Sequence, residues 1–277
     1  MNDEQPTPTT LILSRDELLC ILGVLEAASI PGMDAEPGGP RTEQEQALVH
    51  EVTLRSLRAR GIAAKNGDGA LRFHDDLLKM VGACAYPHSA LIALHWAQEA
   101  DAPARFFGNV RNQNFVVHTR PEELLHRFVA LPAKEKLFGS LFEFCQLNQV
   151  DAGADVESGA SAAAIEFTIS AAEFAEVRLL SEQGATQAAA SRLEAAQVDA
   201  AAARAFSSTF AENPRLTVLQ TVKQADGDTV LKRDFMLAQT PTQIWFMGAV
   251  DGEAAEMVLR VKNVTLEELQ HLLSEWL

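Results

Sequence analysis

The feature that most constrains this fold is a short motif that occurs twice. Leu11-Ile12-Leu13-Ser14 runs into Arg15-Asp16-Glu17-Leu18, and Phe167-Thr168-Ile169-Ser170 runs into Ala171-Ala172-Glu173-Phe174. Each is an extended apolar piece followed by Ser-x-x-Glu. At that spacing the serine hydroxyl accepts from the amide three residues on, and the glutamate carboxylate reaches back to the serine's own amide. The flanking residues, Leu13 with Leu18 and Ile169 with Phe174, are placed to close over the box as a hydrophobic staple. The recurrence lies roughly half a chain apart, far beyond a solenoid unit of roughly 20–50 residues. It points to two α+β halves.

Leu18, Ile21, Leu22 and Leu25 recur at helical spacing after the first corner, and Pro31-Gly32 ends that element. A loop over 35–41 leads to a second helix from Thr42 to Arg60, with Leu48, Val52, Leu54 and Leu57 as its inward face and Gly61 as its stop. Short extended pieces at 62–64 and 70–73, around a Gly-rich turn, predict a hairpin. Helix, helix, hairpin resembles a winged-helix unit, assigned to residues 42–83, and a further helix over 75–84 follows the wing. Strand-period alternation begins at Ala90, Ile92, Leu94 and Trp96, and two more strands are expected over 105–110 and 114–118. Pro121 is expected to open a helix over 122–128, and another helix covers 133–145.

Residues 150–164, rich in Ala, Gly, Asp and Ser, read as a linker. After the second corner, 185–210 is Ala-rich helix. Four strands then follow over 216–224, 229–237, 242–250 and 255–261, with Asp226-Gly227 and Asp251-Gly252 as turn dipeptides. Thr265-Leu266-Glu267-Glu268 caps a closing helix to Leu277. The expected fold is α+β: two pseudo-repeated halves, 11–149 and 165–277, each with helices, an antiparallel meander and a closing helix. A central sheet shared between them is one way to join them. The proposed closing helices match locally, Glu122-Glu123-Leu124-Leu125-His126 against Glu267-Glu268-Leu269-Gln270-His271.

Two α+β halves, the Leu-Ser-x-x-Glu-Leu opening, the meander and the Pro-Glu-Glu-Leu-Leu segment together resemble the EspG family over about residues 11–273. The resemblance is one of pattern and transfers no binding residue by position. It implies a central antiparallel sheet flanked by helical bundles. It also implies a cytoplasmic chaperone of type VII secretion, binding one end of a helical PE–PPE heterodimer.

Charge and motifs narrow the function from the other side. Lys plus Arg is 23 against 38 Asp plus Glu, a formal net charge of −15. Phosphate backbones and anionic membrane surfaces both need a cationic face, so neither nucleic acid nor membrane is an expected partner. The basic cluster Arg55, Arg58, Arg60, Lys65 and Arg72 is interleaved with acids. The polar N-terminus carries no signal-like apolar run, and three widely spaced cysteines, Cys20, Cys84 and Cys145, suit a reducing compartment; the expected location is cytoplasmic. All three cysteines read as buried small hydrophobes.

No nucleophile elbow, phosphate loop, dinucleotide fingerprint or zincin motif occurs, so no catalytic residue is assigned and an enzyme is the less favoured class. No cofactor or metal is assigned either. Two Glu-x-x-His pairs, Glu123/His126 and Glu268/His271, have di-iron spacing, but a di-iron bundle needs two further glutamates on long neighbouring helices, and dipole-compatible helix ends explain the pairs. His88 and His95, seven apart, point to opposite faces of a strand.

The candidate partner-binding residues are Arg111, Asn112 and Gln113 at a polar hairpin tip, which also holds Asn109 and Asn114, and Trp245 and Met247 in the meander. A covering helical layer is the alternative for the last two. The sequence reading is a non-catalytic adaptor for a helical segment of another protein. An enzyme with an unrecognised site and a winged-helix regulator with a sensor domain stand as alternatives. Oligomeric state is not legible.

Overall fold

The computed structural model describes residues 9–33, 35–36, 38–65, 71–97, 101–149, 165–225, 229–250 and 257–277. The elements in chain order are β1 (Thr10–Ser14), α1 (Arg15–Val24), α2 (Glu43–Ala59), β2 (Ala63–Lys65), β3 (Leu71–Phe73), α3 (Asp75–Ala85), β4 (Ser89–Trp96), β5 (Ala104–Arg111), β6 (Asn114–Thr119), β7 (Leu125–Leu131), α4 (Lys134–Phe144), β8 (Glu166–Ser170), α5 (Ala171–Glu182), α6 (Thr186–Ala195), α7 (Ala200–Ala211), β9 (Arg215–Gln224), β10 (Val230–Gln239), β11 (Ile244–Ala249), β12 (Val258–Asn263) and α8 (Leu266–Ser274). The fold is α+β. Ten strands join in the order β1-β7-β6-β5-β4-β9-β10-β11-β12-β8, and β2 pairs with β3 separately. The expected linker over 150–164, the Gly-rich turn near Gly67 and the turn dipeptides at 226–227 and 251–252 lie outside the described residues.

Two compact units emerge. One takes in the described residues of 1–91 and 105–140, the other those of 92–104, 141–225 and 229–277. The first unit opens on the predicted corner. Ser14 Oγ accepts from the Glu17 amide at 3.2 Å, and Glu17 Oε2 accepts from the Ser14 amide at 3.0 Å. Glu17 is buried, and it also accepts from Ser56 Oγ (2.8 Å) and Arg60 Nη1 (2.5 Å), both at the end of α2 or just past it. Burial pushes its carboxyl pKa up, but the bonds from Ser14, Arg60 and Ser56 outweigh that and hold it below the ordinary glutamate value. The capping residue thus ties α1 to α2. β1 pairs antiparallel with β7, and α1 and α3 close over that sheet with Leu13, Leu18, Ile21, Leu22, Val81 and Phe128 in the core. Gly32 sits at φ +83 with the Phe107 ring where a Cβ would be, so only glycine fits there.

Three expectations in this unit are corrected. Residues 122–128 are not a helix: a turn ends at Leu124, φ +65, whose carbonyl accepts from the Arg15 amide at 2.8 Å. From Leu125 the chain pairs with both β1 and β6. Non-local pairing overrides the local helix propensity of Glu-Glu-Leu-Leu, so the match to Glu267–His271, which is helix in α8, is one of letters only. In α2, capped by a Thr42/Glu45 box, only Thr53 and Leu57 are buried; Leu48 (63% exposed) and Val52 (55%) face outward. Cys20 is half-buried, its Sγ 3.5 Å from His50 Nδ1, unlike buried Cys84 and Cys145.

The second unit repeats the corner. Ser170 Oγ accepts from the Glu173 amide at 3.1 Å, and Glu173 Oε2 accepts from the Ser170 amide at 3.0 Å. β8 pairs antiparallel with β12. In both β1 and β8 the residue just before the cap, Leu13 or Ile169, is the one buried. Helices α5, α6 and α7 pack on one face of the β8–β12 sheet around Val177, Leu193, Phe206, Phe210, Trp245 and Val261. Arg233, on the opposite face of β10, lies 3.8 Å over the Trp276 ring just past α8.

A buried histidine pair marks the first unit. His118 Nε2 and His126 Nδ1 are 2.9 Å apart, and His118 is stacked between Phe107 and Phe128. Burial, the His126 charge and the Arg120 charge lower the His118 pKa to about 3. The folded state therefore favours the neutral ring, while the unfolded chain takes up a proton near about pH 6.5. Stability from this site is complete above that pH and is lost as pH falls toward 3. Urea unfolding between pH 7 and 4 is expected to show this decline, with a smaller slope in His118→Phe. Separately, Ser14→Ala and Ser170→Ala are each expected to cost about 1 kcal/mol in the same assay.

Candidate partner-binding groove

The register of the second unit assembles an apolar groove. Val218 lies opposite Met236, Met236 opposite Met247, and Met247 opposite Val261, giving one row across β9 to β12. Alternation puts this row on the face that carries α5–α7. One neighbouring row, Leu216, Ala238 and Trp245, runs toward the helices. The other runs away from them and includes Ala249 opposite Leu259. Cover falls off along the strands: Trp245 is fully buried, Met247 is buried, Met236 and Val218 are half-buried, and Met257 is 62% exposed.

Two cavities occupy the uncovered strip. One, of about 430 Å³, is lined by Trp96, Leu216, Val218 and Met236, with Arg178 and Arg215 at its rim. The other, of about 400 Å³, is lined by Val218, Met236, Met247, Leu259 and Met257, with Lys232 and Asp234 at its rim. Val218 and Met236 belong to both, so the two form one trough. Its lining holds three methionines, Met236, Met247 and the exposed Met257, whose unbranched, polarizable side chains adapt to irregular partners. Among the rim charges, Arg178 Nε donates to Glu182 at 2.6 Å and Asp234 Oδ1 accepts from Gln220 Nε2 at 2.7 Å.

The sequence-predicted residues fall into two groups. Trp245 and Met247 lie under the helical layer. Trp245 Nε1 donates to Thr209 Oγ1 of α7 at 2.9 Å, and its ring meets Phe206 edge-on at 5.1 Å. The covering-layer alternative describes them, because a strand residue facing three helices is sealed by them; only Met247 reaches the trough. Arg111, Asn112 and Gln113 do form a hairpin tip. Asn112, at φ +54, and Gln113 are exposed, while Arg111 donates to the Gly82 carbonyl at 3.1 Å and lies 5.3 Å over the Tyr86 ring. That guanidinium pins the tip to the C-terminal end of α3, where the helix dipole favours a cation. Asn109 is buried, donating to the Phe107 carbonyl at 3.3 Å.

Other candidates are spent on structure. Within the basic cluster of the regulator reading, Arg55 is paired with Glu51, and Arg60 with Glu17 and the Ile12 carbonyl. His95 is buried against Thr217 Oγ1 at 2.8 Å; burial and then the Arg215 charge lower its pKa. His88 precedes β4 and accepts from the Asn112 amide at 3.4 Å. Among the described residues no three His, Cys, Asp or Glu side chains gather as metal ligands, and no helix is long and apolar enough to cross a membrane.

No protein-family model matches the sequence, and no curated protein sequence matches it. The structure, however, is similar to that of the type VII secretion system chaperone EspG5 of Mycobacterium tuberculosis, solved in complex with a PE25–PPE41 dimer. The TM-score is 0.60 over 95% of this chain and 94% of that chain, at 13% identity. This chain has an EspG-like fold. At that identity the likeness speaks for the fold alone, and the EspG-like architecture is what carries the groove.

Sequence reasoning missed Trp96, Leu216, Val218, Met236, Leu259 and Met257. Their signal was weak but present: methionines at 236, 247 and 257 in three consecutive strand candidates. The buried tryptophan supplies a check on the architecture. Trp245→Ala is expected to destabilise the protein by about 3–5 kcal/mol in denaturant unfolding, whereas Gln113→Ala stays within about 0.5 kcal/mol.

Proposed function

We propose that this chain is a non-catalytic chaperone or adaptor that holds a helical segment of a partner protein in the second unit's groove. The observation that carries the reading is the apolar trough through Val218 and Met236, left open among the described residues beside the part of the sheet face that α5–α7 cover. An amphipathic helix laid into such a trough buries its i, i+3, i+4 and i+7 side chains, and the groove supplies adaptable methionines to receive them. The rim mixes Arg178, Arg215 and Lys232 with Asp234, which suits a partner carrying charges of both signs beside its apolar anchors. The EspG-like fold supports a secretion-related role, since the similar structure is a secretion chaperone bound to a protein dimer. A cytoplasmic site of action goes with this reading, and the exposed tip at Asn112 and Gln113 is a secondary contact within it.

The test is affinity purification of the tagged protein from its native host at native expression levels, beside a Met257→Asp variant at the exposed end of the trough. A stoichiometric helical protein is expected with the wild type. The variant is expected to lose it by about tenfold or more with its thermal midpoint unchanged. Recovery of the wild-type chain alone, or equal recovery of the partner with the variant, would sink the reading.

A further inference from the structure

The second surface of interest is α2, in the other unit. Of its 17 residues only Thr53 and Leu57 are buried. At 100° per residue Leu48 points almost directly away from Leu57, with Val52 and Arg55 beside it on the outer side. Leu48 and Val52, one turn apart, are the two large apolar side chains most exposed on this helix. They are bracketed by opposite charges in a symmetric spacing: Glu45 three residues before Leu48, and Arg55 three residues after Val52. Among the described residues nothing covers this pair of apolar side chains on the outer side of a helix whose N-terminus is held by a Thr42/Glu45 capping box.

The charge order says which occupant fits. A second α2 laid antiparallel about a twofold axis sets Leu48 against the partner's Val52, and Glu45 against the partner's Arg55. By symmetry each contact occurs twice. A parallel arrangement would set Glu45 against Glu45 and Arg55 against Arg55. The capping box engages Glu45 Oε2, and a carboxylate accepts at both oxygens, so the cap and an intermolecular pair are compatible. Arg55, already beside Glu51 of its own chain, would bridge two carboxylates.

We propose that α2 is a homodimer interface, pairing antiparallel with α2 of a second copy through Leu48, Val52, Glu45 and Arg55. A single helix pair is small by the standards of stable interfaces, so the dimer is a dissociable one. This surface is separate from the groove and does not depend on the chaperone reading.

Sedimentation velocity on the purified full chain, over micromolar to submillimolar concentration, tests it. The wild type is expected to shift from monomer to dimer across that range. Leu48→Gln/Val52→Gln is expected to remain monomeric with an unchanged circular-dichroism melt, since both side chains are more than half exposed. Arg55→Glu, which sets acid against acid, is expected to weaken the dimer by about tenfold or more. Adding Glu45→Gln to it, which keeps the capping box, is expected to recover part of that loss. A wild type that stays monomeric throughout overturns the proposal, as does a dimer that survives both the Leu48→Gln/Val52→Gln and the Arg55→Glu changes. A monomeric wild type whose co-purified foreign protein is lost on Leu48→Gln/Val52→Gln would also overturn it, assigning α2 to that other partner.

Discussion

The rest of the structure depends on a corner made twice, where a short strand ends in a serine whose hydroxyl starts a helix. At Ser14 and Ser170 the backbone leaves the sheet at a fixed angle, because the cap holds the serine extended while the next residue is already helical. The residue before each cap, Leu13 or Ile169, is buried. The corner therefore fixes both the direction of the first helix and the sheet face it covers. In the first unit the capping glutamate is also buried and holds Ser56 and Arg60, so one carboxylate starts a helix and docks the next. In the second unit Glu173 stays nearer the surface, 3.8 Å from Arg192 of α6.

How much of this was legible follows from how local each feature is. The capping boxes depend on four consecutive residues and stand where the sequence places them. The strands of the second meander were legible because alternation is also local. Residues 122–128 were not, because strand β7 exists through its pairing with β1 and β6, neither of which its own letters encode. Periodicity made α2 a helix but could not say which stripe would be covered. Leu57 was covered, and Leu48 was left out.

The groove was illegible for a further reason. No short window of sequence contains it. Trp96, Val218, Met236, Met247 and Leu259 come from five strands, and only the register between those strands places them in one trough. Trp245, the aromatic that drew attention in the sequence, became the centre of the core beneath three helices. The more modest methionines and aliphatics one or two rows away stayed open. The two strand tryptophans part company: Trp245 buries its large ring under α5–α7, while Trp96 at the end of β4 stays in the groove lining.

The position of β1 and β8 has a consequence for how anything can attach to this molecule. They are the two outermost strands of the ten, each five residues long, and each runs at once into a capped helix. A sheet grows sideways only where a long, flat margin offers a ladder of free amides and carbonyls to an incoming chain. These margins are about 17 Å long and end in a bend. Lateral templating, the route to fibrils and to β-strand capture, is thus curtailed at both ends, and visitors are steered to the broad faces and helices.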